Sequence, residues 1–545
     1  MKLKSIISVR TLCLISWLLT GPSLSVQADT YQPTRDDVLE SMHRATQYMM
    51  DSVSMDGAFV WEYRADRSRQ WGELEAPFRT MVWMQPPGTP SVGHLLLDAY
   101  HATGDEYYYE QACKVAHVLI RVQHPEGGWN YVEDLAGEEQ LRSFYATLGR
   151  QAWRMEEFQH YYGNCTFDDE ATVVAGTFLL RLYVEKHDAE IGRALNRVIQ
   201  FVLDSQYPHG GWPQRWPLRY DHAFQGRADY SSFVTLNDGV MMDNIDFLLQ
   251  CYQALGRTDL REPILRAMYL LADLQQPAPL SGWADQYDPK TLLPAHARSY
   301  EPRSVNTSTT LSMMRVMAKY YRLTGDERFL KGLTSALSFV ERQTLSAEYE
   351  SVWNRPKRDS SAVLVPRFVS PDDGKPLFVH RVGSNAGNGH YYTDQDLHGT
   401  IAHYNSALYV NLQGMRDFCE ALKRESADSL QRASVLLHPE NNKGLDAYYC
   451  RSEAYRRDPL PHQVSDIIQL QQPSGAWLVS INKDSHPYKA MPRHQRRSKS
   501  VDFASTNQGD GYDTSPYYPE EPFLGISTTS YIRLMSRLIV SLLPE

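Results

Sequence analysis

Gln206-Tyr207-Pro208-His209-Gly210-Gly211-Trp212 decides the fold, because its pattern returns along the chain. A glutamine, a turn and a Gly-Trp pair recur as Gln123 to Gly128-Trp129 and Gln276 to Gly282-Trp283. Gln472 to Gly475-Ala476-Trp477 is a further copy, and Trp61 and Trp353 mark weaker ones. From Trp61 to Trp353 the spacing is roughly 70 to 80 residues, the length of two helices with their loops.

Two other signatures fill the repeating unit. Thr103-Gly104-Asp105 and Thr324-Gly325-Asp326 are tight turns, with looser copies at His187-Asp188 and Gly256-Arg257-Thr258-Asp259. Each follows an apolar run of helical period, as in Val173–Tyr183. Glycine suits the left-handed position that ends a helix, and aspartate the start of the next. Thr166-Phe167-Asp168-Asp169 and Thr235-Leu236-Asn237-Asp238 open those runs as N-caps with an acid three residues on. The unit is therefore a capped helix, a tight turn, a second helix, and a Gly-Trp hairpin with a long loop.

Sequential pairs of this kind predict an all-α fold, an α/α toroid of helix pairs, incomplete or six-fold. Long loops and a short β-arm lie on one face. That face also gathers the inner-helix N-termini, whose partial positive charge favours anions. Residues 354–400 break the period, and Val363–Val369 with Leu377–Arg381 read as a β-hairpin or arm. Residues 401–424 return to helix, 483–523 form a long loop, and Ser527–Leu543 is a closing helix. One domain is expected over residues 29–545. Residues 29–160 are an N-terminal extension or the first helix pairs, and 160–390 are the core.

The N-terminus reads as a secretory signal over residues 1–28. Lys2, Lys4 and Arg10 precede an apolar stretch, and Val26-Gln27-Ala28 offers a cleavage site. The apolar stretch is too short to span a bilayer, and no other segment approaches that length. A secreted or periplasmic protein is expected, not membrane-spanning and monomeric. The formal charge is −10, more acidic once the signal's three cations leave. With no extended basic run, this excludes a nucleic-acid binder. Cys113, Cys165, Cys251, Cys419 and Cys450 are odd in number and widely spaced, which is no disulfide framework.

Asp168, Asp169, Asn237 and Asp238 come from two adjacent helix starts. Their oxygens suit a hard cation, calcium or magnesium, although capping alone also explains Thr-x-x-Asp. The loops add arginines able to grip carboxylates: Arg215, Arg298, Arg303 and Arg381. Trp212 and Trp283 are either hairpin packing or platforms for sugar rings.

Four stretches, in order, resemble the family 10 pectate lyases. Asn164-Cys165-Thr166-Phe167-Asp168-Asp169-Glu170-Ala171-Thr172 resembles that family's Thr-x-Asp-Asn-x-Ala-Thr, and Gln206 through Gln214 its Gln-Tyr-Pro-Asn-Gly-Gly-Trp-Pro-Gln. Thr235-Leu236-Asn237-Asp238-Gly239-Val240-Met241 and Trp283 through Glu301 are similar to two further motifs. Pro376-Leu377-Phe378-Val379-His380-Arg381 resembles a later strand that carries an arginine. The resemblance implies calcium-assisted β-elimination on an acidic polysaccharide, polygalacturonate or a related uronate polymer. It implies Asp168, Asp169 and Asp238 at the metal, and Arg298 on the substrate carboxylate with Arg381 as base. Arg215, Arg303, Trp212, Trp283 and Asn237 are the expected substrate contacts. A glycoside hydrolase with Asp168 and Asp238 flanking a bond, or a non-catalytic glycan binder, is the alternative on the same toroid.

Overall fold

Helices pair across the turns read from the sequence. In this computed structural model, residues 32–149, 156–219, 229–353, 355–382, 390–400, 405–444, 450–456, 463–482, 484–485, 518–519 and 521–544 are described. The expected signal lies outside them. Helix α1 spans Arg35–Tyr48 and is closed at its start by a reciprocal Thr34–Asp37 capping box. Helices α2 (Thr89–Thr103) and α3 (Glu106–Arg121) form a pair, joined at Gly104 and the N-cap Asp105. A short α4 (Glu138–Ala146) follows. The next pairs are α5 (Ala171–Lys186) with α6 (Ala189–Asp204), and α7 (Val240–Leu255) with α8 (Arg261–Asp273). Helix α9 (Thr307–Thr324) pairs with α10 (Leu333–Arg342), and short helices α11 (Ala347–Val352), α12 (Leu412–Lys423), α13 (Ala427–Ala433) and α14 (Val464–Leu470) follow. Helix α15 (Thr528–Leu542) closes the chain.

The fold is an all-α toroid of helix pairs. Its inner wall runs α15 to α2 to α5 to α7 by direct packing, and α1 packs outside α15. Inner and outer helices differ in composition for that reason. Helix α5 is buried on every side, whereas α6 buries one face, through Ile191, Ala194, Leu195, Val198 and Val202. One continuous core runs from Val38 to Ile539.

Hairpins stitch each outer helix to the next. A Cβ on Gly127 would lie 2.4 Å from Arg197 O on α6, and one on Gly210 would lie 2.7 Å from Arg266 O on α8. Positive φ and this close approach both demand glycine there. Gly475 sits the same way on Arg44 of α1, so the last hairpin docks on the first helix and closes the ring. The hairpin indoles repeat one bond. Trp129, Trp212 and Trp477 each donate Nε1–H to the carbonyl ten residues back, Leu119, Val202 and Ile467.

The expected arm is two sheets rather than one hairpin. Strand Val363–Pro366 pairs with Ala407–Val410. Pro376–Val382 lies between His390–Asp394 and Phe368–Val369, and the latter pairs with Val305–Asn306. The arm is thus bonded to the start of α9, over the loop face. Helix returns only at Leu412, after that strand, because Asn411 caps it there. The expected loop 483–523 lies mostly outside the described residues. The five cysteines among the described residues are free.

Candidate functional site

The site is built from the two places where the sequence repeats its acids. Thr166 and Thr235 do not cap α5 and α7 as the capping reading expects. A single 3-10 turn stands between each threonine and its helix: Asp168–Glu170 in one repeat, Asn237–Gly239 in the other. Within these turns Asp169 (φ 49°, ψ 38°) and Asp238 (φ 52°, ψ 25°) are both left-handed. Left-handed backbone costs a non-glycine residue on the order of 1 kcal/mol and clusters at functional sites. The two turns touch one another. Equivalent carboxylates from neighbouring repeats are thereby presented side by side.

Arg298 lies beneath them. Its loop is closed by a reciprocal pair of bonds, Arg298 N–H to Glu301 Oε2 at 3.0 Å and Glu301 N–H to Arg298 O at 2.8 Å. The guanidinium is 2% exposed and surrounded by acids. It donates to Asp168 Oδ2 at 2.5 Å, Asp238 Oδ2 at 3.0 Å and Glu301 Oε1 at 3.1 Å, with Glu157 Oε2 at 3.6 Å. Tyr131 donates its hydroxyl to Asp168 Oδ2 as well. Asn237 braces the cluster by donating to Asp238 Oδ2 at 2.9 Å and Glu301 Oε1 at 3.1 Å. Gln286 adds a bond to Glu301 Oε2 at 3.2 Å.

One cation does not neutralise this many acids. Burial first, then neighbouring carboxylates, push Asp238 up to about 6, against the pull of Arg298. Burial lifts Glu157 to about 7 and Glu301 to about 8, again opposed by Arg298. Asp169 keeps a side open to a hollow, yet its carboxyl is ringed by protein. Burial and then Asp168, Asp238 and Glu73 push it up to about 9.

The hollow above has a volume of about 450 Å³. Five carboxylates line it, Glu73, Asp169, Glu170, Asp238 and Asp243, together with Trp61 and Gln85. Gln85 Nε2 donates to Asp169 Oδ2 at 2.9 Å and Glu73 Oε2 at 3.1 Å, fixing the two acids relative to each other. Buried Asp168 Oδ1 has no hydrogen-bond partner. Carboxylate oxygens too many for the available cation fit a hard divalent ion, which would displace the protons that burial keeps on them. Among the described residues, no three such side chains converge as a ready-made cage. A cation here would take ligands from a bound anion as well.

The structure brings Asp168, Asp169, Asn237, Asp238 and Arg298 together, and sorts the other expected residues differently. Trp212 and Trp283 are 0% and 1% exposed, with their indole N–H groups spent on Val202 O and Leu271 O. They pack hairpins and cannot stack on a sugar. Trp212→Phe should cost about 1–2 kcal/mol in denaturant unfolding, from one lost bond and lost packing, and leave KM unchanged. Arg215 is also no substrate contact. It is fully buried, 3.9 Å from the Tyr162 ring and 4.9 Å from the Tyr131 ring, and donates to Asn130 Oδ1 at 3.1 Å. It backs the tyrosine that holds Asp168. Arg303 is exposed and paired with Asp372, in a separate hollow of about 380 Å³ beside the arm. Arg298 itself is occupied by protein carboxylates, so it positions acids rather than meeting a substrate carboxylate in this state. Arg381 pairs with Tyr391 in the arm; its side chain lies outside the described residues.

Sequence reasoning missed Glu73, Gln85, Trp61, Tyr131 and Glu157. For Tyr131 a signal existed, two residues beyond the hairpin tryptophan. Glu73 and Gln85 belong to no repeat.

Comparison with known proteins places part of the chain. Residues 140–388 match the family model described as pectic acid lyase. No curated protein matches. Among solved structures, a family 10 polysaccharide lyase from Cellvibrio cellulosa is 15% identical, over 61% of this chain and 97% of that one, with a TM-score of 0.41. A mutant of that lyase in complex with a trigalacturonic acid gives 15%, 61%, 98% and 0.40. A family 76 glycoside hydrolase from a bovine Bacteroides thetaiotaomicron strain is 9% identical, over 93% and 77%, with a TM-score of 0.38.

Proposed function

We propose that this pectate lyase-like polysaccharide lyase cleaves polygalacturonate or a related uronate polymer by calcium-assisted β-elimination. The observation that carries the reading is the left-handed pair Asp169 and Asp238, open to a hollow beside which the Arg298 guanidinium is already engaged. Five carboxylates around the hollow repel a polyanion unless a divalent ion joins them to it. Asp169 and Asp238 would hold that ion from the protein side. A bound calcium supplies charge that offsets the uronate carboxylate and favours the enolate-like transition state at C5.

The chain's own residues do the rest. Arg298 keeps Asp238 and Asp168 in register, and Tyr131 holds Asp168 from the other side. Arg381, on the arm, is the proposed base for the C5 proton; the C5–H electron pair becomes the C4=C5 double bond as the C4–O4 bond breaks, and O4 leaves taking a proton from water. A guanidinium ordinarily keeps its proton, and burial or nearby cationic charge lowers its pKa. The rate should therefore rise with pH. Arg381→Lys should lower kcat by at least about 100-fold, and a full-rate variant or an optimum near pH 5 removes Arg381 from that role. No described helix is long and apolar enough to cross a membrane. Export to the periplasm or beyond fits a polymer too large to enter a cell.

The decisive experiment is absorbance near 235 nm, where the unsaturated uronate product absorbs. It is read on polygalacturonate with calcium and again with a chelator. Calcium-dependent absorbance is expected. One observation favours a second reading. Asp168 of the expected hydrolase pair is taken up by Arg298 and Tyr131, but Asp169 and Asp238 stand together on the hollow, the two carboxylates that a glycoside hydrolase needs. New reducing ends without absorbance would establish that reading instead.

A further inference from the structure

We infer that the N-terminal repeat supplies a sugar platform, Trp61, to the acidic hollow; this rests on the uronate-polymer reading above. The argument starts from register. Trp129 and Trp283 each donate their backbone N–H to a threonine at the head of the next inner helix, Thr172 Oγ1 at 3.1 Å and Thr310 Oγ1 at 3.0 Å. In the N-terminal hairpin the residue that does this is Phe59, to Thr89 Oγ1 at 2.9 Å, and Phe59 is fully buried. Phe59 is therefore the hairpin aromatic, and Trp61 is not the weak Gly-Trp copy that its spacing suggests. It stands two residues further on.

In two of the other repeats that position lies in the acid cluster. Its occupants there are Tyr131, which holds Asp168, and Asp285, which accepts from Asn306 Nδ2 at 2.7 Å. Trp61 continues the series with an indole. Unlike the four hairpin tryptophans it is only half-buried, and it lines the hollow with Asp169 and Asp238.

The ring is held ready for a ligand. Its N–H is satisfied inside the protein by Gln85 O at 3.0 Å, so it asks nothing polar of the hollow. Trp83 backs it, with ring centroids 5.8 Å apart. The Gln85 side chain in turn bonds Asp169, so the platform and the acid pair are mechanically one unit. An apolar ring beside five carboxylates has no use in binding a bare cation. It suits the C–H face of a pyranose whose own carboxylate reaches the cation. The occupant is a uronate ring of the polymer.

The test compares wild type, Trp61→Ala and Trp61→Phe, all checked for an unchanged melting temperature. Binding of oligogalacturonates, and of glucuronate- and mannuronate-containing oligomers, is measured by calorimetry with calcium, and turnover by absorbance. Trp61→Ala should weaken binding and raise KM by about 10-fold or more, with a smaller effect on kcat, and Trp61→Phe should recover most of it. Wild-type affinity in Trp61→Ala overturns the platform and leaves the lyase reading standing. Binding that depends on Trp61 without any absorbance does the reverse. No binding of any uronate oligomer by wild type overturns both.

Discussion

Arg298→Met should be the most damaging single change in the molecule: inactive, and folded only in acid. The guanidinium contacts Asp168, Asp238, Glu301 and Glu157 while 2% exposed. Removing one partner of a buried ion pair costs about 3–5 kcal/mol, because the other is left charged and dry. Here four acids lose one cation. With total stabilities of about 5–15 kcal/mol, that is a large share. The acids can escape the penalty only by taking up protons. Below pH 6 the variant should therefore keep much of its fold, and above pH 8 it should lose it. Arg298→Lys is the informative companion. A lysine keeps the charge but cannot reach three directions at fixed angles. It should fold at neutral pH and still lose about 100- to 1,000-fold in turnover, the effect of misplacing preorganised charge. Urea unfolding at pH 5.5 and pH 8, read beside the 235 nm assay, checks both. A fully active Arg298→Lys would show that the guanidinium only balances charge.

That hub was partly legible in the sequence, and the reason is instructive. Asp168, Asp238 and Arg298 sit in stretches that repeat or that resemble a family motif, so repetition and the resemblance brought them forward. The helix pairs were legible for the same reason. Gly104, Asp105 and Asp188 behave in the structure as their residue types dictate. What the sequence obscured is direction. Thr-x-x-Asp looks identical whether it caps a helix or precedes a left-handed kink, and only φ separates the two. Trp212 and Trp61 look alike as exposed-ring candidates, yet one is sealed under its hairpin and the other faces the hollow. Arg215 reads as a surface arginine until Tyr131 and Tyr162 are seen around it. Glu73 and Gln85 enter from a segment more than 80 residues from Asp169, which no local pattern links.

The acid pair itself makes the second large effect, through pH. Asp238, Glu157, Glu301 and Asp169 have folded-state values of about 6, 7, 8 and 9, all above those of the unfolded chain near 4. Between pH 5 and 8 these four acids, with the likewise raised Glu133, Glu156 and Asp243, bind more protons folded than unfolded, and they outweigh His94, His124 and His209, which burial lowers and which act the other way. The slope of stability against pH is set by unfolded minus folded protons, so it is negative there. Surface acids such as Asp188, held below their ordinary value, are already ionised by pH 5 and add no slope across this range. In chelator, the melting temperature should fall by a few degrees from pH 5 to pH 8. A bound divalent ion stabilises the ionised acids, so calcium should restore most of that loss at pH 8 and little at pH 5, with proton release on binding. Asp238→Asn takes away one charge of the pair. It should melt higher than wild type in chelator at pH 8, lose the calcium response, and turn over polygalacturonate at least about 100-fold more slowly. Calorimetry in two buffers of different ionisation enthalpy, with melting curves at both pH values, reads all of this. A chelated protein that grows more stable toward pH 8, or an Asp238→Asn that still responds to calcium, would place the ion elsewhere.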